Sequence, residues 1–276
     1  MSCEVQQREG QITAAKRSVL FRIDPPSMGT DVQTQYERIA AAGFDGVELP
    51  LEPAATGSVV ETRARPDGGV LPTHAVAARC STCDIQAALK EVGTLIHWAT
   101  GLRAQFLNLT IPPLARTHGD DGFASYQDAL NFAYELLHHA RFDAEAAGVV
   151  VALEAGANGC LLSPVELREI IDAANSWAVG VCIDVARIGR IGSPADWLRI
   201  LRARVHAVRV NSDYLHDRPD QSTRVEPINP ALIAEALDEI QYDRIVIATG
   251  TGDPAPIRAN LMNLGCPMRQ STRGVS

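Results

Sequence analysis

The sequence predicts a single (β/α)8 barrel whose second helix is short or missing. Three observations carry that prediction. Short β-rich apolar runs alternate with helix-like segments, each run roughly thirty residues from the next, along the whole chain. The length of 276 residues suits one large α/β unit. No linker-like stretch separates the repeats, so one barrel over residues 18–265 is expected, with a disordered leader at 1–17 and a flexible tail at 266–276. An open doubly wound sheet is the alternative.

The first strand reads as Val19–Ile23 and stops at Asp24-Pro25-Pro26, because Pro25 keeps Asp24 out of helical geometry. Asp31 caps a helix through Ala42 that Gly43 closes, and Phe44–Leu49 is the second strand. The Pro/Gly/Ala-rich segment from Pro50 to Gly69 leaves room for at most a short helix near Val59–Arg63. Val70–His74 reads as a third strand ending on His74, followed by a helix from Asp84 to Thr100. Gln105–Leu109 is the fourth strand, and a loop with His118, Asp120 and Asp121 leads into a helix from Gly122 to Ala147. His138 and His139 are adjacent on that helix, cannot share a face, and read as packed or solvated side chains.

Residues 149–187 organise the remainder. Val149–Glu154 and Val179–Asp184 are apolar runs that each end on a carboxylate. Between them Ser163 caps a helix with Pro164 at its first position and Glu166 three residues after the cap. A crossover helix makes the two strands parallel neighbours, roughly 4.8 Å apart. Glu154 and Asp184 therefore share one end of the sheet, where like charges raise a pKa or recruit a cation. Further on, Ser193-Pro194 starts a helix through Arg202, and Val205–Val210 is the seventh strand. The polar loop 211–229 is a candidate lid. Pro230 opens a helix to Ile240, Arg244–Ala248 is the eighth strand, and a last helix runs from Pro254 to Leu264. Period-2 alternation with Glu154 inward also turns Ala152, Gly180, Cys182, Asp184, Ala207 and Arg209 inward and His206 outward.

With 25 basic against 33 acidic residues, a net charge of −8 and no basic cluster, nucleic acid and anionic membranes are not expected partners. No run of 18 apolar residues and no signal-peptide pattern occurs, which predicts a cytoplasmic protein. The six cysteines read as reduced thiols, and Cys80-Ser81-Thr82-Cys83 lacks the second pair or nearby His that a metal or redox site needs.

Gly43-Phe44-Asp45-Gly46-Val47-Glu48-Leu49, Val151–Glu154, Val181–Asp184 and Arg204–Arg209, in that order and spacing, resemble the xylose isomerase-like family of sugar and sugar-phosphate isomerases, epimerases and dehydratases, whose barrel endonuclease IV shares. The resemblance spans residues 18–265. It implies a divalent metal held by a Glu ending the fifth strand, an Asp ending the sixth, a His on the seventh and a Glu on the eighth. Glu154 and Asp184 match the first two. The family His falls on Arg209, the second Glu on Ala248, and a frequent His three residues after the Asp on Arg187.

Arginine stays protonated and has no lone pair to give a metal. The expectation is therefore an isomerase, epimerase or lyase working without metal on a small polyhydroxylated, anionic substrate. Glu154 is the expected base, Asp184 an orienting acid and His74 a second acid/base, with Arg187, Arg209, Glu48, Asn108 and Asn211 contacting substrate. One alternative is a catalytically silent barrel that binds a metabolite or a protein. Another is a Mn, Zn or Mg enzyme using Glu154 and Asp184 with Asp213 or His216 from the loop. A homodimer is compatible with either.

Overall fold

The computed structural model describes residues 17–23, 32–51, 71–115, 117, 121–155, 159–211, 228–250 and 252–266. Eight parallel strands close in sequential order into a barrel. They are β1 (Ser18–Arg22), β2 (Gly46–Leu51), β3 (Thr73–Arg79), β4 (Phe106–Thr110), β5 (Val150–Glu154), β6 (Val179–Asp184), β7 (Val205–Asn211) and β8 (Ile245–Thr249). The helices between them are α1 (Val32–Ala41), α2 (Ile85–Gly101), α3 (Tyr126–Ala147), α4 (Pro164–Ala174), the short α5 (Val185–Ile188), α6 (Pro194–Leu201), α7 (Pro230–Glu239) and α8 (Pro254–Asn260). The chain is thus a (β/α)8 barrel.

Helix starts follow the capping pattern of the sequence. Asp84, Ser125, Ser163, Ser193, Asn229 and Asp253 each accept a backbone N–H of the first turn, and four of these caps precede a proline at the first helical position. The cap at Ser125 moves the start of α3 from the expected Gly122 to Tyr126. The Asp31 cap, the short helix near Val59–Arg63, the candidate lid over 212–227, His118, Asp120, Asp213, His216, and both the leader before Arg17 and the tail after Cys266 lie outside the described residues. No described helix is long and apolar enough to cross a membrane.

The large apolar cluster lies between the strands and the helices. A smaller cluster of Leu20, Ala75, Ala152, Cys182, Ala207, Ile245 and Ile247 fills the barrel interior. Four of those seven are Ala or Cys, so the lower interior packs tightly while the upper mouth stays open.

The register slips in the same way at two places. Val47 pairs with Thr73 but Glu48 with Ala75, and Val181 pairs with Val205 but Cys182 with Ala207. The extra residue is a histidine each time, and both lie in the tripeptide His-Ala-Val facing a Gly-Val strand start: His74 against Gly46-Val47, His206 against Gly180-Val181. A bulge places two consecutive side chains on one face. A β-carbon on Gly180 would stand 2.0 Å from His206 Nδ1, and one on Gly46 would stand 2.5 Å from His74 Cδ2. The glycines give each ring its space inside the N-terminal end of the barrel.

These bulges correct two expectations. His206 shares the interior side with Ala207 instead of pointing outward, because alternation fails across the extra residue. His74 begins β3 instead of ending it, since the strand runs on through Ala75-Val76-Ala77-Ala78-Arg79. That places His74 at the end of the barrel opposite Glu154 and Asp184, and removes it from the candidate acid/base set. Ala248 belongs to the outer cluster, and the inward residue ending β8 is Thr249.

Candidate active site

The C-terminal ends of the strands surround a cavity of about 690 Å³, where barrels of this type carry their functional residues. Glu154 ends β5, Arg209 sits two residues before the end of β7, and Asp184 ends β6 while capping α5. Asp184 and Arg209 are register partners.

These side chains form an alternating chain of charge. Arg22 Nη1 donates to Glu48 Oε2 at 3.2 Å, and Arg209 Nη2 donates to Glu48 Oε1 at 2.9 Å. Arg209 Nη1 donates to Glu154 Oε2, and Arg187 Nη1 to Glu154 Oε1 at 2.6 Å. Arg187 Nε lies 3.5 Å from Asp184 Oδ2, while Asp184 Oδ1 accepts the Arg187 backbone N–H at 3.1 Å. Three guanidinium groups thus alternate with three carboxylates over five strands.

Glu48 and Asn108 are fully buried, with Asn108 Nδ2 donating to Glu48 Oε1 at 2.6 Å. Neither lines the cavity. Glu48 supports Arg209 from below and Asn108 supports Glu48, so both lie beneath the cavity and not on its lining. Arg187, Arg209 and Asn211 do line the cavity, with Glu154 and Asp184. The spacing thus brings together five of the predicted residues at the mouth and two beneath it. It misses Arg22, Arg79 and Arg190, which also line the cavity. Arg22 and Arg79 end β1 and β3, but the first strand reads on to Ile23 in sequence and the third reads as ending at His74, which hides both.

Burial alone would raise the Glu48 pKa, but Arg209, Arg22 and the Asn108 bond outweigh it and hold the carboxyl below the ordinary range. Asp184 goes the other way. Burial pushes it above the usual carboxylate range and the Glu154 charge adds to this, against a pull from Arg209 and Arg187. Cys182 beneath the acids is driven well up by burial and stays a thiol.

The residues present do not fit a divalent cation between Glu154 and Asp184. Both Glu154 oxygens are taken by guanidinium groups, Arg209 fills the seventh-strand position, and Thr249 supplies a hydroxyl where a carboxylate would be needed. Among the described residues no group of three His, Cys, Asp or Glu side chains is disposed to hold a metal. Cys80 and Cys83 are both free thiols.

The fold and this mouth define an α/β barrel with its site on the strand ends. The model of the xylose isomerase-like TIM barrel family matches residues 36–264, and the chain belongs to that family. No curated protein sequence matches it significantly. Among solved structures, 3-keto-D-glucoside 4-epimerase from E. coli is similar at 15% identity and a TM-score of 0.71, over 91% of this chain and 100% of that one. D-psicose 3-epimerase from Clostridium cellulolyticum H10 is similar at 15% identity and a TM-score of 0.65, over 90% and 91% of the two chains. The IolI protein, solved with a zinc atom, is similar at 13% identity and a TM-score of 0.63, over 90% and 96%.

Proposed function

We propose that this barrel is an isomerase or epimerase acting on a small polyhydroxylated, anionic substrate by proton transfer without a metal. The observation that carries the proposal is the contrast between its two mouth acids. Glu154 has both oxygens bound by arginine, whereas Asp184 lies at the cavity wall with a raised pKa and one guanidinium contact of 3.5 Å. The epimerases named above share the fold and make sugar chemistry the natural class to test first.

In this reading Asp184 takes the proton from a carbon next to a carbonyl. The C–H electron pair becomes the new C=C bond while the C=O π pair moves onto oxygen, and the resulting enolate is held by the Arg187 and Arg209 guanidinium groups, which are fixed in advance by Glu154 and Glu48. Return of the proton by Asp184 to the former carbonyl carbon, with the hydroxyl on the deprotonated carbon passing its proton to the former carbonyl oxygen, gives an isomer, and protonation of the deprotonated carbon from the opposite face by water gives an epimer. Glu154 thus orients the arginines and is a positioning residue, in place of the base expected from the sequence.

Incubation of candidate keto sugars and sugar acids in deuterium oxide with chelator tests this. Deuterium should enter the carbon next to the carbonyl with wild-type protein and not with Asp184→Asn. Failure of the whole panel to exchange would favour a second reading, a silent binding barrel. The balanced charge chain supports that reading, because every acid in it is already paired.

A further inference from the structure

Two buried polar atoms at the base of the mouth, Arg209 Nε and Asn108 Oδ1, form no hydrogen bond among the described residues. Both belong to side chains that are otherwise engaged. Arg209 Nη1 donates to Glu154 Oε2 and Nη2 to Glu48 Oε1, and Asn108 Nδ2 donates to that same Glu48 oxygen. One carboxylate oxygen therefore joins the two residues, which makes the orphaned donor and the orphaned acceptor neighbours. Asn108 is 0% and Arg209 4% exposed, so bulk solvent serves neither atom. The side chains around Asn108 are small. It pairs with Ala77 on β3 and Ala152 on β5, and Ala77 itself lines the cavity. Thr110, two residues further along β4, lines the cavity as well, so Asn108 lies just below the open mouth.

We infer that these two atoms hold a neutral hydroxyl oxygen, which accepts the Arg209 Nε–H and donates its own proton to Asn108 Oδ1. Hydrogen-bonding capacity selects the group. The unpaired N–H needs a lone pair and the unpaired carbonyl oxygen needs a proton, and a hydroxyl supplies both from one atom. A carboxylate or a phosphate dianion has no proton for Asn108, and an ammonium group has no lone pair for Arg209. Two sources carry this chemistry: a hydroxyl of a polyhydroxylated substrate reaching down from the cavity, or a bound water. The inference rests on the isomerase reading only where substrate is the source. In that case the slot is a neutral anchor beneath the charged groups that hold the enolate, and it favours a substrate with a free hydroxyl at that end.

Crystals of the chelator-treated full chain, grown and cooled without polyol, and the same crystals soaked in erythritol test the inference without any turnover. Unsoaked wild-type protein should show one fully occupied oxygen about 2.5–3.2 Å from both Arg209 Nε and Asn108 Oδ1. An erythritol hydroxyl at that place after soaking would make substrate the source, and an unchanged oxygen would make it water. Asn108→Leu removes the acceptor at similar volume and should lose the oxygen while the Arg209–Glu48 pair stays. No oxygen in wild type, an ion in its place, an oxygen bonded to only one of the two atoms, or an oxygen that persists in Asn108→Leu would each overturn the slot. The wild-type crystals decide on their own if Asn108→Leu does not fold. Oxygen positions are independent of deuterium exchange, so the slot and the isomerase reading can fail separately.

Discussion

The Arg209 guanidinium and the Glu154 carboxylate meet inside the mouth of the barrel, 4% and 3% exposed, with Arg209 reaching across to Glu48 as well. One cation therefore neutralises parts of two buried acids on opposite sides of the barrel. Removing it leaves both without their main partner. Arg209→Leu should cost about 3–5 kcal/mol, the usual penalty for breaking a buried pair. In urea unfolding, Arg209→Leu with Glu154→Leu should cost less than the sum of the single changes. Additive losses would mean that the two side chains are not coupled.

The two histidine bulges answer differently to the same substitution. Gly180→Ala places a methyl group in the His206 ring, the nearest obstruction being side chain alone. It should destabilise by about 1–3 kcal/mol, and His206→Ala should rescue most of that. Gly46→Ala meets the Pro72 carbonyl oxygen at 2.7 Å in addition to His74, so His74→Ala should not rescue it. Melting temperatures of the four variants and two doubles decide the matter. Equal rescue at both sites would contradict the geometry.

His206 also sets a pH dependence of stability. Burial lowers its pKa from 6.5 to about 4, against the raising effect of the Arg204 carbonyl that Nδ1 contacts at 3.0 Å. The unfolded chain takes up its proton first as pH falls. The contribution is thus complete above pH 6.5 and lost between 6.5 and about 4, at most about 3 kcal/mol. His206→Gln should show a shallower loss of unfolding free energy across that interval than wild type. Parallel curves would sink the assignment.

The Asp184 carboxyl is shifted the other way, and as the proposed base it should set a pH dependence of activity. A base must be ionised, so kcat/KM should decline as pH falls through its raised pKa, with an acid limb above the ordinary aspartate value of 3.8. Arg187→Gln removes a lowering influence and should move that limb further up. A limb that stays in place in Arg187→Gln would separate Asp184 from the proton transfer.

Much of this architecture is legible in the chain because the signals are local. Ser-Pro, Asn-Pro and Asp-Pro pairs mark helix starts, and apolar runs ending on Glu154 and Asp184 mark the mouth. What escapes is set by pairing between strands. Alternation cannot see an extra residue, so the bulge at His206 inverts its side, and Ala248 is mistaken for the mouth position that Thr249 occupies. Ala75-Val76-Ala77-Ala78 carries only Val76 of the branched and aromatic residues typical of strands, so β3 seems to end at His74. Its small side chains suit a crowded barrel interior. Glu48 and Asn108 are polar residues on inward positions, and only the closed structure reveals that Arg209 engages Glu48 and that Asn108 donates to Glu48 in turn.

The central claim is that arginines hold the acids of this mouth in place of a divalent ion. Equilibrium dialysis of the chelator-stripped protein against manganese and zinc at neutral pH, followed by elemental analysis, tests it most directly. The account predicts no stoichiometric ion dependent on Glu154 and Asp184. One tightly bound ion per chain, lost in both Glu154→Gln and Asp184→Asn, would contradict it.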